Sequence, residues 1–248
     1  MSQELPLVMR ALSRHRTMCV LIALQVAIAC AILSNGLNLV NHRFALENLS
    51  TGLADERLIV ADAEPLRGQL EDAQRLAAMT AIGTLPGVDS VAYVNALPFS
   101  QRGSSYAIRR NGGSALDASI YYGSPGYLQT LGVRILAGRG FERSDFSEPG
   151  VDPVARSSII ILTRSLARRL SSTVGSRVEI AGHGLTVVGI SVDVQQPSVV
   201  DPNDAGNSAF VAAPPGAALG SQIVVNTDAA LPASAAPPAA HRNARLSI

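Results

Sequence analysis

The sequence predicts an α+β protein: an N-terminal transmembrane helix followed by a core of β-α-β units that carries a smaller, strand-rich inserted subdomain. Three observations predict it. Thr17 to Val40 is a 24-residue run without Asp, Glu, Lys, Arg or His. Apolar stretches of strand and helix type alternate from residue 57 to 97 and again from 158 to 194. Between them, over about 98–150, the chain turns richer in Gly, Ser and Arg.

The uncharged run is long enough to cross a bilayer, since about 20 apolar residues span the hydrocarbon core. Gln25, Ser34, Asn35 and Asn38 are its polar exceptions, and the last three crowd the end where headgroups or a neighbouring helix can satisfy them. Arg10, Arg14, Arg16 and His15 precede it against a single acid, Glu4. The positive-inside rule therefore keeps the N-terminus in the cytoplasm and puts everything after Val40 outside. A secretory signal peptide would give the same export, but signal h-regions run about 7–15 residues. Hydrophobicity here continues past the small-residue site at Ala27, Ile28 and Ala29, and a lipoprotein-like reading with Cys30 as acceptor lacks the usual preceding leucine. An uncleaved anchor is expected, with 1–16 cytoplasmic and 17–40 in the membrane.

Beyond the anchor, Arg57 to Asp62 (RLIVAD) reads as a short buried strand. Gly68 to Leu85 places Leu70, Ala73, Leu76, Ala77, Thr80 and Ala81 at helical spacing, and Pro86 with Gly87 ends that helix. Val88 to Leu97 returns as a strand, giving a β-α-β unit whose two strands can lie side by side. In the inserted stretch Tyr106 to Arg109 and Ala118 to Tyr122 alternate as strands. Ser124 and Pro125 supply an N-cap and a first-turn proline for a helix closing near Gly132. Val133 to Ala137 then runs as a strand into a turn at Gly138 to Gly140.

Ser158 to Leu162 (SIIIL) is a fully apolar strand, and Thr163 can cap the next helix. Leu166, Ala167 and Leu170 give that helix one buried stripe, with Arg164, Arg168 and Arg169 outward. Val178 and Ile180, the turn Gly182-His183-Gly184, and alternating Val188, Ile190, Val192 and Val194 make a β-hairpin. Ser208 to Ala212 and Gln222 to Asn226 add two strands and bring the core domain, 41–228, to its end. The tail 229–248 is almost only Ala, Pro and Ser as far as Ala240 and is expected to be disordered.

The 248 residues, 47% of them hydrophobic, suffice for one good core or two small ones. A formal net charge of +1 leaves no basic field to hold nucleic acid. All 20 basic residues are Arg, a pattern of GC-rich genes. The two cysteines, Cys19 and Cys30, both fall in the apolar run, so no disulfide framework or cysteine-ligated metal site is available after residue 30.

No catalytic, cofactor-binding or metal site is expected. His15, His42, His183 and His241 are scattered through a flank, a juxtamembrane stretch, a tight turn and the tail. Gly138-Arg139-Gly140 has half of a dinucleotide fingerprint but no third Gly opening a helix, and no GxxxxGK[ST] loop occurs, so any ATPase must be another chain. Gly123-Ser124-Pro125-Gly126 lacks GxSxG spacing, and its proline removes an oxyanion-hole N–H. Asp201 to Asp204 (DPND) lacks the alternating ligands of a calcium loop and reads as a solvated turn. Arg164, Arg168 and Arg169 could meet an anionic partner, although such a stripe is commonly the wet face of a helix.

Four segments in order carry a resemblance: YYGSPGYLQTLGVRILAGRGFERSDF (Tyr121 to Phe146), SIIILTRSLARRL (Ser158 to Leu170), VGSRVEIAG (Val174 to Gly182) and LTVVGISVDVQ (Leu185 to Gln195). Over roughly residues 5–228 the chain resembles the N-terminal half of ABC transporter permeases with a MacB-like periplasmic core domain joined to an FtsX-like permease unit. The resemblance implies a bacterial inner-membrane protein with a periplasmic domain of two subdomains. It implies as partners the membrane, a cytoplasmic ABC ATPase subunit, a permease dimer partner and a periplasmic adaptor protein. It implies work in efflux, export or lipoprotein release, in which ATPase-driven motion is relayed to the periplasm, and it brings no catalytic residue or cofactor.

One departure is large: such permeases continue into three more membrane helices, and nothing after Val40 approaches about 18 consecutive apolar residues. The reading is of a truncated permease, ended by a frameshift or nonsense change near the Ala/Pro tail. The alternative is a single-span, membrane-tethered periplasmic binding or scaffold protein without transport activity.

Overall fold

A computed structural model describes residues 16–47, 51–62, 72–110, 112–146, 153–198, 204–212, 222–228 and 243–244. The chain divides into two compact units, Met1–Asn48 and Leu49–Ile248. In the first, helix α1 runs from Arg16 to Glu47, 32 residues or about 48 Å at 1.5 Å per residue. Its window Val20–Asn38 has a mean hydropathy of 2.1 and none of it is buried in protein. Leucines, isoleucines and valines on all sides of it stand exposed, among them Val20, Leu24, Ile28, Ile32 and Leu37. By length and composition this helix is long and apolar enough to cross a membrane. Residues 1–15, with the arginines of the flank expected in the cytoplasm other than Arg16, lie outside the described residues.

The second unit contains, in order, β1 (Leu58–Asp62), α2 (Asp72–Gly83), β2 (Val88–Val94), β3 (Ser104–Arg109), β4 (Leu116–Gly123), α3 (Tyr127–Thr130), β5 (Ile135–Gly138), α4 (Pro153–Arg156), β6 (Ile159–Thr163), α5 (Arg164–Arg169), β7 (Arg177–Ile180), β8 (His183–Ser191), β9 (Ser208–Ala212), β10 (Gln222–Thr227) and β11 (Asn243–Ala244). The expected strands are present, all within one hydrogen-bonded network. Strands β3, β4 and β5, from the stretch 98–150, are members of that network.

The pairings close on themselves. β4 pairs β3, β3 pairs β7, β7 pairs β8, β8 pairs β6, β6 pairs β9, and β9 returns to pair β4. One face of every strand in this six-membered ring feeds a single core, with Ile108, Ile120, Ile160, Leu162, Val178, Ile180, Leu185, Val187 and Val211 fully or almost fully buried. Helix α5 adds Leu166, Ala167 and Leu170 to it, as its spacing predicts. Each large side chain taken fully out of water there contributes about 1.5–3 kcal/mol.

Alternation sends Tyr121, Ile161 and Phe210 to the opposite face of the ring, where they meet Ala92, Val94, Val224, Tyr127 and Leu131 in a second core. β2 joins the ring through one β-pair, Val94 with Gly123. Beyond it, the Asn95 N–H still reaches the Tyr122 carbonyl at 3.0 Å, and its side chain adds two bonds: Nδ2 donates to the Ile120 carbonyl at 2.9 Å and Oδ1 accepts the Tyr122 N–H at 3.0 Å. β1 and β2 do not lie side by side. β10 sits between them, antiparallel to both, so the β-α-β unit is split by a strand from much later in the chain.

Other expectations are corrected locally. α2 was expected to bury Leu76, Ala77, Thr80 and Ala81, yet Leu76 is 62% exposed, and Ile82 instead packs with Val91, Ile223 and Val225. The helix is apolar on nearly every side, so periodicity does not single out its packed face. The hairpin turns at Ala181 and Gly182, with φ of 50° and 83°, so His183 already pairs with Ile180. Two positive φ values are what a two-residue type I′ connection requires. Of the tail 229–248, only Asn243 and Ala244 are described, and there they run parallel to β1 at Val60 and Ala61 rather than unstructured.

Candidate functional site

The run Tyr121 to Phe146 is built around aromatic and ionic staples. Ser124, expected to cap α3, accepts the Tyr93 N–H through Oγ at 3.0 Å. The chain instead turns at Pro125-Gly126, where the Tyr127 N–H reaches the Ser124 carbonyl at 3.0 Å and Gly126 takes φ 87°. Proline followed by a positive-φ glycine is the pattern of a type II turn. Tyr127 stacks on Phe141, and Phe141 meets Phe146 edge-on. The hydroxyls of Tyr121 and Tyr127 donate to the buried carbonyls of Gln195 and Val211, and burial pushes the pKa of both phenols well above the ordinary tyrosine value.

The Gly138-Arg139-Gly140 turn holds no phosphate loop. Gly138 takes φ 74°, and a Cβ there would lie 2.2 Å from the Val188 carbonyl oxygen. Arg139 clamps Asp145 with both terminal nitrogens, Nη1 to Oδ2 at 2.6 Å and Nη2 to Oδ1 at 3.1 Å. Asp145 also accepts the Glu142 N–H at 2.8 Å. The Arg139 hydrogen bond is the largest cause holding the Asp145 carboxyl below its ordinary value.

Thr163 does not cap α5 with its hydroxyl, which donates to the carbonyls of Gly206 and Ser208 at 2.7 and 2.8 Å. The cap comes from Asp193, just after β8. Its Oδ1 accepts the Ser165 N–H at 2.7 Å, and its Oδ2 accepts Arg164 Nη2 at 3.0 Å and Nε at 3.3 Å. Arg169 pairs with Asp204 and Arg109 with Glu179, while Arg168 is exposed. Asp201 to Asn203 lie outside the described residues, as do His15 and His241. His183 is exposed on the hairpin, and Cys30 is exposed on α1. Among the described residues no group of three or more His, Cys, Asp or Glu could hold a metal.

An open cleft of about 520 Å3 lies over Asp193, lined by Gly52, Leu53, Gly132, Arg134 and Arg164 among others. Two glycines seat its walls. A Cβ on Gly52 would fall 2.0 Å from the Asp193 carbonyl oxygen, and one on Gly132 would fall 2.6 Å from Ala54 Cβ. The backbone closes the same contact, from the Ala54 N–H to the Leu131 carbonyl at 3.1 Å and from the Gln195 N–H to the Thr51 carbonyl at 3.2 Å. The sequence does not single out Arg134, Asp193 or Gly52, because each belongs to a different local pattern and only tertiary pairing joins them.

The sequence profile described as MacB-like periplasmic core domain matches residues 17–244. No curated protein sequence matches the chain. Among solved structures, the periplasmic region of MacB from Actinobacillus actinomycetemcomitans is similar at 14% identity, over 77% of this chain and 82% of that one, with a TM-score of 0.47. The extracellular domain of the noncanonic ABC-type transporter YknZ from Gram-positive bacteria is similar at 16% identity, over 70% and 83%, with a TM-score of 0.44.

Proposed function

From its membership of the MacB-like periplasmic core domain family, to which the profile match over residues 17–244 assigns this chain, we propose that the protein is the extracytoplasmic part of an ABC-type transporter permease. Helix α1 anchors it in the inner membrane with its N-terminus in the cytoplasm. The domain after residue 48 stands on the far side and works in export or lipoprotein release, with a permease dimer partner and a periplasmic adaptor as its neighbours. ATP is hydrolysed by a separate cytoplasmic subunit, and the motion passes through the membrane to this domain. The chain itself carries no catalytic centre.

The observation that carries this reading is the family match together with an apolar helix, Val20–Asn38, at the start of the matched region. The alternative reading is a tethered binding module without transport. Affinity capture of the tagged chain from detergent-solubilised native membranes separates the two. The transport reading expects a P-loop ATPase in stoichiometric amount; capture of the chain alone, with crosslinking before solubilisation, contradicts it.

A further inference from the structure

The cleft over Asp193 carries more positive charge than its fold consumes. Asp193 is fully engaged, since one oxygen accepts the Ser165 N–H and the other accepts Nε and Nη2 of Arg164. Arg164 therefore keeps Nη1 uncommitted among the described residues. Arg134 lines the same cleft, is exposed, and has no ion pair among the described residues, although its carbonyl is fixed by the Val192 N–H at 2.9 Å. Arg134 and Arg164 thus line one open cleft, the backbone of the first fixed by the Val192 N–H and the side chain of the second held by Asp193. The other acids near α5 are spent elsewhere, Asp204 on Arg169.

We propose that this cleft binds a phosphate-type oxyanion, held by the Arg134 guanidinium and the spare edge of Arg164. A guanidinium presents a planar fork of donors that matches phosphate or carboxylate oxygens two at a time. A tetrahedral phosphoryl group offers oxygens in more than one plane, so it can meet two guanidinium groups arriving from different walls. A carboxylate is satisfied by one fork and leaves the second unused. The cleft volume, about 520 Å3, falls in the range of small-molecule sites, which run from about 300 to 1,000 Å3, and accommodates a phosphomonoester or a glycerophosphate headgroup. A phospholipid headgroup and a soluble phosphate ester are both sources of this chemistry. The proposal does not depend on the transport reading.

The test uses the full chain in phosphate-free maltoside micelles, with hydrogen–deuterium exchange followed at segments 51–54, 131–134 and 192–194. One arm adds sn-glycerol 3-phosphate to the micelles, and the other adds phosphatidylglycerol. Protection in the first arm identifies a soluble ester as sufficient; protection in the second alone identifies the lipid headgroup. In either case Arg134→Ala should weaken the protection midpoint by about tenfold or more, the worth of a hydrogen bond to a charged group, while exchange in β6 and β9 stays as in the parent and shows the fold intact. No protection in both arms, or protection that Arg134→Ala leaves unchanged, overturns the proposal.

Discussion

Asp193 closes the N-terminus of a helix that begins 29 positions before it: its Oδ1 lies 2.7 Å from the Ser165 amide nitrogen, and its Oδ2 holds Arg164 at the same helix start. α5 has six residues and cannot be stable by itself. Its cap is therefore a long-range contact that ties β6, α5 and the end of β8 together. Asp193→Ala removes the acceptor and frees Arg164, and should cost about 1–2 kcal/mol, the range for loss of a helix cap. Asp193→Asn keeps an acceptor and should cost less. Thermal unfolding of the detergent-solubilised chain measures both; equal stability of Asp193→Ala and the parent would show the cap to be dispensable.

The junction of β2 with the ring has no room for a side chain at Gly123, where a Cβ would lie 2.2 Å from the Tyr93 carbonyl oxygen and 2.8 Å from the Tyr127 ring. Gly123→Ala should destabilise by about 1–3 kcal/mol, the cost of overpacking. At the same junction Asn95→Ala strips the partners from a buried carbonyl and a buried N–H, for about 1–3 kcal/mol. Chemical denaturation of each variant, read as a shift in midpoint at constant slope, checks both values.

Arg139 holds the Asp145 carboxyl below its ordinary value of 3.8, and Arg109 does the same to Glu179. A carboxylate whose folded pKa is depressed contributes stability that is fully present above the unfolded pKa. That contribution is lost as pH falls through the folded value. Stability of the parent should therefore decline below about pH 4, and Asp145→Asn should flatten the decline in that window. Both arginines are substantially exposed, so the effect is small and weakens with salt. An unchanged pH profile in Asp145→Asn would remove Arg139–Asp145 as a contributor.

Burial keeps Tyr121 and Tyr127 protonated well above the ordinary tyrosine range. In an ultraviolet titration of the folded chain, the fraction of tyrosines that resists ionisation until the protein unfolds should include both. Tyr121→Phe and Tyr127→Phe should each reduce that resistant fraction by one.

Strands were legible wherever the signal was local. Ile159–Thr163 and Ser208–Ala212 lie close to their expected bounds because a short, almost wholly apolar run specifies a strand buried on both faces. What escaped was partnership. Nothing in LIVAD or VDSVAYV says that Gln222–Thr227 will lie between them, nor that β9 will pair both β4 and β6 and close the ring. These pairings are set by which apolar faces bury best together, and that information is spread over separations of 47 (Leu162 to Ala209) to 168 (Leu58 to Asn226) residues. Ser124 and Thr163 carry good capping side chains, but each finds a backbone partner from a distant segment that local spacing cannot reveal. The polar cleft was illegible for the same reason, since Gly52, Arg134 and Asp193 meet only in three dimensions.

The account stands on the domain after residue 48 lying across the membrane from the ATPase. Its most direct test replaces Cys19 and Cys30 with Ser, places one thiol at exposed Ser114 (Ser114→Cys), and treats intact spheroplasts with a membrane-impermeant maleimide. The account predicts full labelling of the intact cells, with no further gain on lysis. Labelling that occurs only after lysis would put the domain in the cytoplasm and contradict it.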